Sequence, residues 1–457
     1  MKYYLLLSMS LILGGVHGRE SMEYEEATAP LIPQKVSHRN TIVLGNGQFH
    51  DMWVSIGRPK SGYRSEDNFR KLLPAYKGID KLHNDLFYFD QIKLFEGESK
   101  ESFWSYVNSP TSKGGLSQRP SMKDSKKKWP QILEEFKSNP PEKLFTEGRF
   151  SEMSAAEKYD FLLGPQSFLF TREVEYSDSV FRTYGAIAYW AGICHGTAPA
   201  SFLFPEPKSE VVVKGHDGRS IPFSTNDIKR LSAHAWAENN YDIAFIGGRC
   251  RSDELGSREP DCLDTNPATL HLALLNYIGL HGKTLIMDNA YDSDVWNRPI
   301  MGFSYKYVHP KTKVRSRLLK HALVKRSDYP DDPHKWNRRI GTHYIVEVHM
   351  KVKLLFGDEG DQGSGAKGYD IHYKYDLEID QKGRIVGGEW ITQYHPDFLW
   401  MVYEGSSPET SEDLSINENL WSGKTPLSSN VRRLGQQAAK KGNVLEHIVR
   451  SLLELSK

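Results

Sequence analysis

Several stretches of the chain carry apolar positions at the spacing of one face of a helix. This pattern predicts helices over residues 129–136, 154–163 and 224–237. Ser154 stands three residues before Glu157, which is the spacing of a capping box at the start of the second helix. Residues 211–213 and 221–223 predict two short strands around a glycine-containing turn.

The C-terminal third shows the period-two alternation of strands. Residues 344–355 predict one strand, and residues 373–379 and 385–391 predict a hairpin around a turn. The acidic, glycine-rich stretch 357–368 predicts a loop whose carboxylates at 358–361 are solvated. A final helix is predicted over residues 430–455. Helices followed by antiparallel strands indicate an α+β fold.

Between these parts lie two apolar runs joined by a glycine-containing turn. The first, residues 269–275, is interrupted by His271, and the second, residues 283–288, ends in Asp288. Two such runs predict an antiparallel hairpin, in which His271 and Asp288 would lie near the same open end. An apolar run this short is also compatible with a helix.

The N-terminus predicts export. Residues 1–18 combine a lysine, an apolar run too short to span a bilayer, and small residues before a cleavage position, which is typical of a signal peptide. We therefore expect a secreted or periplasmic protein. The remaining chain divides into an extension and linker at 19–128 (a pro-segment or an accessory domain), a catalytic domain at 129–405, and a C-terminal loop and helix at 406–457.

The composition argues against two classes of binding partner, nucleic acids and membrane surfaces. The 457 residues are 39% hydrophobic and 26% charged with a formal net charge of +1, so no strong field favours nucleic acid or a membrane surface. The chain has three cysteines, and an oxidising compartment favours pairing of two of them. Cys250 and Cys262 lie close together on a polar segment and are predicted to form a disulfide, which leaves Cys194 as a free thiol.

Cys194 is the candidate for covalent chemistry. It follows a glycine-flanked turn and opens a run of small residues, so it is predicted to start a helix, where unpaired N–H groups favour the thiolate. A buried structural thiol is the alternative interpretation. A nucleophilic thiolate needs an imidazole and a group that orients the imidazole. The hairpin geometry supplies His271 and Asp288. Among 17 histidines, His349 with Asp370, or His395, are alternative partners.

Four segments in collinear order carry a resemblance over about residues 150–400. Residues 190–200 read W-x-G-x-C-H-G-x-A-P-A; the other three are 247–250 with 262–267, 295–299, and 387–390 followed by 395–400. Together they resemble the elicitor-type transglutaminase family of oomycete cell-wall glycoproteins and bacterial relatives. Residues 295–303 resemble the surface peptide that host plants perceive. Two positions depart from the family: Thr197 stands where relatives often have Trp, and Arg298 stands where the perceived peptide has Gln.

The resemblance implies a papain-like α+β scaffold with a Cys–His–Asp triad, in which Cys194 matches the nucleophile. It implies protein-glutamine γ-glutamyltransferase activity on protein substrates, with a glutamine acyl donor and a lysine or other amine as acceptor. No cofactor is expected to be required, although family analogy suggests Ca²⁺. One alternative is an exported papain-like cysteine protease or amidase, whose thioester chemistry uses water as acceptor. The other is a surface-binding protein without catalysis, recognised through Trp296.

Overall fold

The computed structural model describes the protein from residue 79 onward, with short gaps. The described residues are 79, 82–105, 107–123, 126–247, 265–290, 294–336, 338–356, 366–392 and 394–457. The predicted signal peptide, the predicted Cys250–Cys262 disulfide and the acidic stretch 358–361 lie outside these residues. None of the helices in the described ranges is both long and apolar enough to cross a membrane.

Twelve strands are found in the described ranges. They are β1 (Glu96–Glu98), β2 (Val211–Lys214), β3 (Ser220–Phe223), β4 (Ile243–Gly247), β5 (Ile286–Asp288), β6 (Asn297–Val308), β7 (Arg315–Ser316), β8 (Val324–Lys325), β9 (Tyr344–Phe356), β10 (Lys367–Ile379), β11 (Ile385–Trp390) and β12 (Phe398–Val402).

The same ranges hold ten α-helices. They are α1 (Leu86–Gln91), α2 (Trp129–Ser138), α3 (Pro141–Thr146), α4 (Ala155–Leu163), α5 (Leu169–Tyr184), α6 (Cys194–Leu203), α7 (Thr225–Glu238), α8 (Pro267–Ala273), α9 (Ser429–Lys440) and α10 (Glu446–Leu455).

Ten of these strands form one sheet, and the remaining two, β2 and β3, pair with each other. The order along the large sheet is β11-β10-β9-β6-β5-β12-β4. In addition, β1 and β7 each pair with β6, and β8 pairs with β9. Every pairing between these strands is antiparallel. The α+β fold with an antiparallel sheet is therefore confirmed.

The sheet separates two hydrophobic cores. Successive strand residues point to opposite faces, and at the centre of the sheet Ile286 and Trp400 enter one core while Met287 and Leu399 enter the other. The first core also contains helices α2, α4, α6, α7, α9 and α10, and we call it the helical core. The second contains α1, α8 and the tyrosines of β6 and β10, and we call it the tyrosine core.

Most elements with strong local signals occur where they were predicted. Ser154 caps α4 and Ser224 caps α7, each through a capping box. The predicted strands 211–213 and 221–223 pair as β2 and β3, and the strands of the C-terminal third are β9, β10 and β11. The single predicted helix over 430–455 is instead two helices, α9 and α10, because Gly442 takes a positive φ of 90° between them.

The predicted hairpin between residues 269–275 and 283–288 is wrong. The first run is helix α8, which continues as a π-helical segment, Leu274–Leu280. The second run contributes β5, whose sheet partners are β6 and β12. Asn266 caps α8 by accepting the N–H of Ala268 at 2.9 Å, and Pro267 occupies the first helical position, where its missing N–H carries no penalty.

The segment before residue 129 packs as part of the body. Strand β1 pairs with β6. The indole of Trp104 is buried and donates to the carbonyl of Phe204, 3.1 Å away at the end of α6. Arg119, in the stretch predicted as a linker, makes a buried ion pair of 2.5 Å with Glu157 of α4. Because α9 and α10 also enter the helical core, the predicted boundaries at 128 and 405 do not coincide with breaks in packing.

Candidate active site

Cys194 is the first residue of α6, as the sequence predicts. The preceding turn is held against the segment before residue 129, because Pro110 forms a β-bridge with Gly192. Helix α6 then packs tightly on α7: a Cβ built on Gly196 would lie 2.1 Å from the carbonyl oxygen of Ala233. Only glycine permits this approach, which fixes where the start of α6 stands above the sheet.

The half-buried thiol of Cys194 faces the turn that leads into β6. Its Sγ lies 3.6 Å from the carbonyl oxygen of Val295 and accepts from Asn297 Nδ2 at 3.4 Å. The imidazole of His195, the next residue, is close enough for the two groups to shift each other's pKa. The Oδ1 of Asn297 in turn accepts from Trp400 Nε1 at 2.7 Å. The nucleophile therefore lies between the start of a helix and the face of the sheet.

These contacts favour a thiolate beside an imidazolium. Burial alone raises the pKa of the Cys194 thiol, but the hydrogen bond and charge of His195, with two hydrogen bonds from Asn297, lower that pKa to about 7. Burial lowers the pKa of His195, whereas its hydrogen bond to Cys194 and the thiolate charge raise it, so the net shift is upward. Opposite charges in contact stabilise each other's ionised form. Cys194 therefore has the electrostatics of a reactive cysteine.

Asp288 lies at the same site, on strand β5. It pairs in register with Asn297 on the neighbouring strand, and directly opposed residues of an antiparallel pair share one face. Its Oδ1 accepts the N–H of Trp296 at 2.8 Å and that of Ala290 at 3.3 Å. These bonds place the carboxylate as a support for the turn that carries Val295 and Asn297 to the thiol.

His271 lies on the other side of the sheet. It is fully buried on α8, in the tyrosine core, with Nδ1 at 2.9 Å from the hydroxyl of Tyr375 and no hydrogen-bond partner at Nε2. Burial lowers its pKa to about 3. Neither ring nitrogen is bonded to Cys194 or Asp288, so the structure does not bring the predicted triad together. The predicted role of His271 rested on the hairpin, and it remains a hypothesis for mutagenesis.

The alternative partners predicted from the sequence are His349 with Asp370, and His395. His349, on β9, bonds Glu347 Oε1 through Nε2 at 2.8 Å, and Asp370 on β10 instead accepts from Lys351 at 3.1 Å. The ring of His395 packs against Trp390 with 5.3 Å between centroids. His349 and Asp370 are thus not a hydrogen-bonded pair.

The two departures from the family pattern have different surroundings. The hydroxyl of Thr197 is buried behind α6 and donates to the carbonyls of Val107 and Ile193, both at 3.2 Å, so it fastens the segment before residue 129 to the helix. The guanidinium of Arg298 lies 5.7 Å from the ring centroid of Trp296, beside the turn that reaches Cys194. Thr197 therefore faces away from the thiol.

Within the described ranges, no group of three or more His, Cys, Asp or Glu side chains is arranged to hold a metal ion. The calcium requirement suggested by family analogy stays a prediction.

Three residues at the site were not selected from the sequence: His195, Asn297 and Trp400. His195 is adjacent to the nucleophile in the C-H-G run, and this adjacency was the available sign. Asn297 and Trp400 lie about a hundred residues or more from Cys194 and meet it only through strand pairing, since Trp400 and Asn297 flank β5 on β12 and β6. No local pattern indicates that contact.

Comparison with known proteins agrees with the resemblance. The sequence model of the family described as "Transglutaminase elicitor" matches residues 178–417, more than half of the chain. A solved structure similar to the chain is that of the GP42 transglutaminase from Phytophthora sojae, with 20% sequence identity, a TM-score of 0.48, and coverage of 72% of this chain and 89% of that one. A search of curated proteins found no match. By its match to the family model, this chain belongs to the transglutaminase elicitor family.

Proposed function

We propose that the protein is a protein-glutamine γ-glutamyltransferase that is exported and cross-links proteins through a thioester on Cys194. The observation that carries the proposal is the place of the Cys194 sulfur at the start of α6, where Asn297 donates to it and the pKa of the thiol is lowered to about 7. A nucleophile with a lowered pKa is what covalent acyl transfer needs, and we assign the neighbouring imidazole of His195 as its base. Membership of the family described as "Transglutaminase elicitor" supports this reaction class.

The reaction proceeds in two halves. The Cys194 sulfur attacks the γ-carboxamide carbon of a substrate glutamine, and the proton of the thiol resides on His195. As the tetrahedral intermediate collapses, the C–N bond breaks, and His195 gives its proton to the departing ammonia. The N–H of Cys194, in the first turn of α6, is placed to stabilise the oxyanion. The product of this half is a γ-glutamyl thioester.

In the second half a primary amine, such as a lysine side chain, attacks the thioester carbon. His195 accepts a proton from the amine, the C–S bond breaks, and the thiol is restored as the new amide forms. If water attacks instead, the glutamine becomes glutamate, which is the amidase alternative, and attack on a backbone amide would give a protease. The products distinguish these three outcomes.

The test measures incorporation of a fluorescent primary amine into a glutamine-bearing protein. We expect incorporation by the wild type, with ammonia released in equal amount, and none by Cys194→Ala. Peptide cleavage, or ammonia release without amine incorporation, would identify a hydrolase instead. A binding protein without catalysis would retain surface binding in Cys194→Ala and lose it in Trp296→Ala. Adding Ca²⁺ after chelation would reveal any calcium requirement.

The identity of the base has its own comparison. We expect His195→Gln to reduce turnover about a hundredfold or more, the usual scale for a positioned acid–base group, and His271→Gln to retain most of it. If His271→Gln loses turnover while His195→Gln does not, the predicted triad is correct in solution and His195 is not the base.

A further inference from the structure

Asn297 approaches the reactive sulfur from the sheet. It is the first residue of β6, it is buried, and its Nδ2 lies 3.4 Å from Cys194 Sγ. The sheet therefore contributes a side-chain donor to the sulfur.

The orientation of this amide is fixed by its other end. Trp400 Nε1 lies 2.7 Å from Asn297 Oδ1, and an indole N–H can only donate. The atom facing Trp400 must therefore be the oxygen, and the NH₂ group must face the sulfur. Both side chains are buried, so reversing the amide would leave two donors facing each other.

The fixed orientation of the Asn297 amide distinguishes the two protonation states of Cys194. A neutral thiol can donate to the carbonyl of Val295, 3.6 Å from Sγ, but it is a weak acceptor for an N–H. A thiolate accepts strongly, and hydrogen bonds to ionised groups are about twice as strong as neutral ones. An amide that can only donate toward the sulfur therefore favours the ionised form over the thiol.

We propose that Asn297 is a catalytic residue that holds the Cys194 thiolate, and that Trp400 is a positioning residue that acts through the Asn297 amide. The role in turnover rests on the proposed function, because it requires Cys194 to be the nucleophile. The effect on the thiol itself does not rest on it.

The experiment measures alkylation of Cys194 by iodoacetamide between pH 5 and 10. The test variants are Asn297→Asp, which keeps an acceptor for Trp400 but removes the donor, and Trp400→Phe, which removes the indole N–H but keeps an aromatic ring. Loss of one hydrogen bond to an ionised group raises a pKa by about one unit. We expect alkylation about tenfold slower at pH 6 in Trp400→Phe and slower still in Asn297→Asp, whose carboxylate also disfavours the thiolate, with rates that converge with wild type at pH 10.

Trp390→Phe is the matched control. Trp390 is also a buried tryptophan of the sheet, and its Nε1 donates to the carbonyl of Thr265 at 3.0 Å, away from Cys194. In this variant iodoacetamide should modify Cys194 at the same rate as in wild type. If Trp390→Phe slows alkylation as much as Trp400→Phe, or if both test variants react like wild type at pH 6, the proposal is overturned. Slowing that persists at pH 10 would indicate general damage and would also overturn it.

Transfer kinetics complete the test. Because the thiolate matters for chemistry rather than for substrate binding, Asn297→Asp should lower kcat with little change in KM for the glutamine donor. A change confined to KM would overturn the catalytic role. If the alkylation profiles shift as expected while wild type incorporates no amine, the proposed transferase function fails and the assignment of Asn297 to the thiol stands.

Discussion

At Cys194, the position at a helix start and the contacts made by the sulfur act in the same direction. The first turn of α6 offers unpaired N–H groups, but any cysteine at a helix start has those. What is particular to this site is a neighbouring imidazole that lowers the pKa of the thiol and an amide, held by an indole, that donates to the sulfur. Reactivity at this residue is thus a property of four side chains from two layers of the fold.

The first prediction concerns the pH dependence of that thiol. With a pKa of about 7, Cys194 should reach half of its maximal alkylation rate near pH 7. His195→Gln removes the cation that favours the thiolate, so the midpoint should move upward and the rate at pH 6 should fall. The measurement is the rate of iodoacetamide modification against pH. An unmoved midpoint in His195→Gln would show that the imidazole does not interact with the thiol.

A second prediction at this scale concerns His271. Burial lowers its folded-state pKa to about 3, whereas an unfolded histidine titrates near ~6.5. Between these values the unfolded chain binds a proton that the folded chain excludes, so the free energy of unfolding falls as the pH falls below ~6.5. The His271→Gln variant lacks this titrating group. Its free energy of unfolding should therefore fall by about 2 kcal/mol less than that of wild type between pH 7.5 and pH 5.

Urea unfolding at the two pH values measures this difference. His372→Gln is the control, because His372 is exposed on β10 and its replacement should leave the difference as in wild type. If His271→Gln and wild type lose the same free energy of unfolding on acidification, His271 is accessible to protons in the folded state and the burial seen here does not hold in solution.

At the scale of elements, the closeness of α6 and α7 sets the position of the nucleophile. A Cβ at Gly196 would stand 2.1 Å from Ala233 O and 2.6 Å from Ala237 N, both backbone atoms that cannot turn aside. Gly196→Ala should therefore push the helices apart, lower the free energy of unfolding by about 1–3 kcal/mol or more, and shift the start of α6, where Cys194 lies.

Gly164→Ala provides the comparison for this third prediction. There the nearest atom to an added Cβ is the Nε2 of Gln436 at 2.9 Å, the end of a flexible side chain. Chemical denaturation of both variants should show a much smaller loss for Gly164→Ala. Equal losses of free energy of unfolding would mean that the close approach of α6 and α7 does not make Gly196 more sensitive to an added methyl group than Gly164.

The elements that could be predicted from the sequence are those whose signals are local. The capping boxes at Ser154 and Ser224 act within one turn, and alternation marks β9 without knowledge of its partners. The run 269–275 was ambiguous because a short apolar segment suits either type of element; the Asn266–Pro267 start, a cap followed by proline, was the decisive sign. The partners of Cys194 depend on register between distant strands, which no local pattern contains.

At the scale of the whole molecule, residues before 129 pack against α6, the helix that carries Cys194. Trp104 is only 1% exposed, its backbone N–H donates to the carbonyl of Ser201 at 3.0 Å, and its indole closes the end of α6. As a fourth prediction, Trp104→Ala should lower the free energy of unfolding by about 3–5 kcal/mol and reduce activity with it. Trp336, 84% exposed, is the control, and Trp336→Ala should change stability by less than about 0.5 kcal/mol.

Thermal unfolding and amine incorporation, measured on the same preparations, decide this prediction. A Trp104→Ala protein that unfolds like wild type would show that the segment before residue 129 rests on the helical core without stabilising it. It would then be compatible with a removable pro-segment, as one of the sequence-based interpretations holds.

The sheet that keeps the two cores apart also has a consequence for engineering the protein. Residues on its two sides share few partners, and distant substitutions without shared partners combine additively to within about 0.5 kcal/mol. The tyrosine core, with His271 and Tyr375, can thus be repacked for thermal tolerance while Cys194, His195 and Asn297 are varied for acceptor preference. Libraries built separately on each side should recombine with their gains intact.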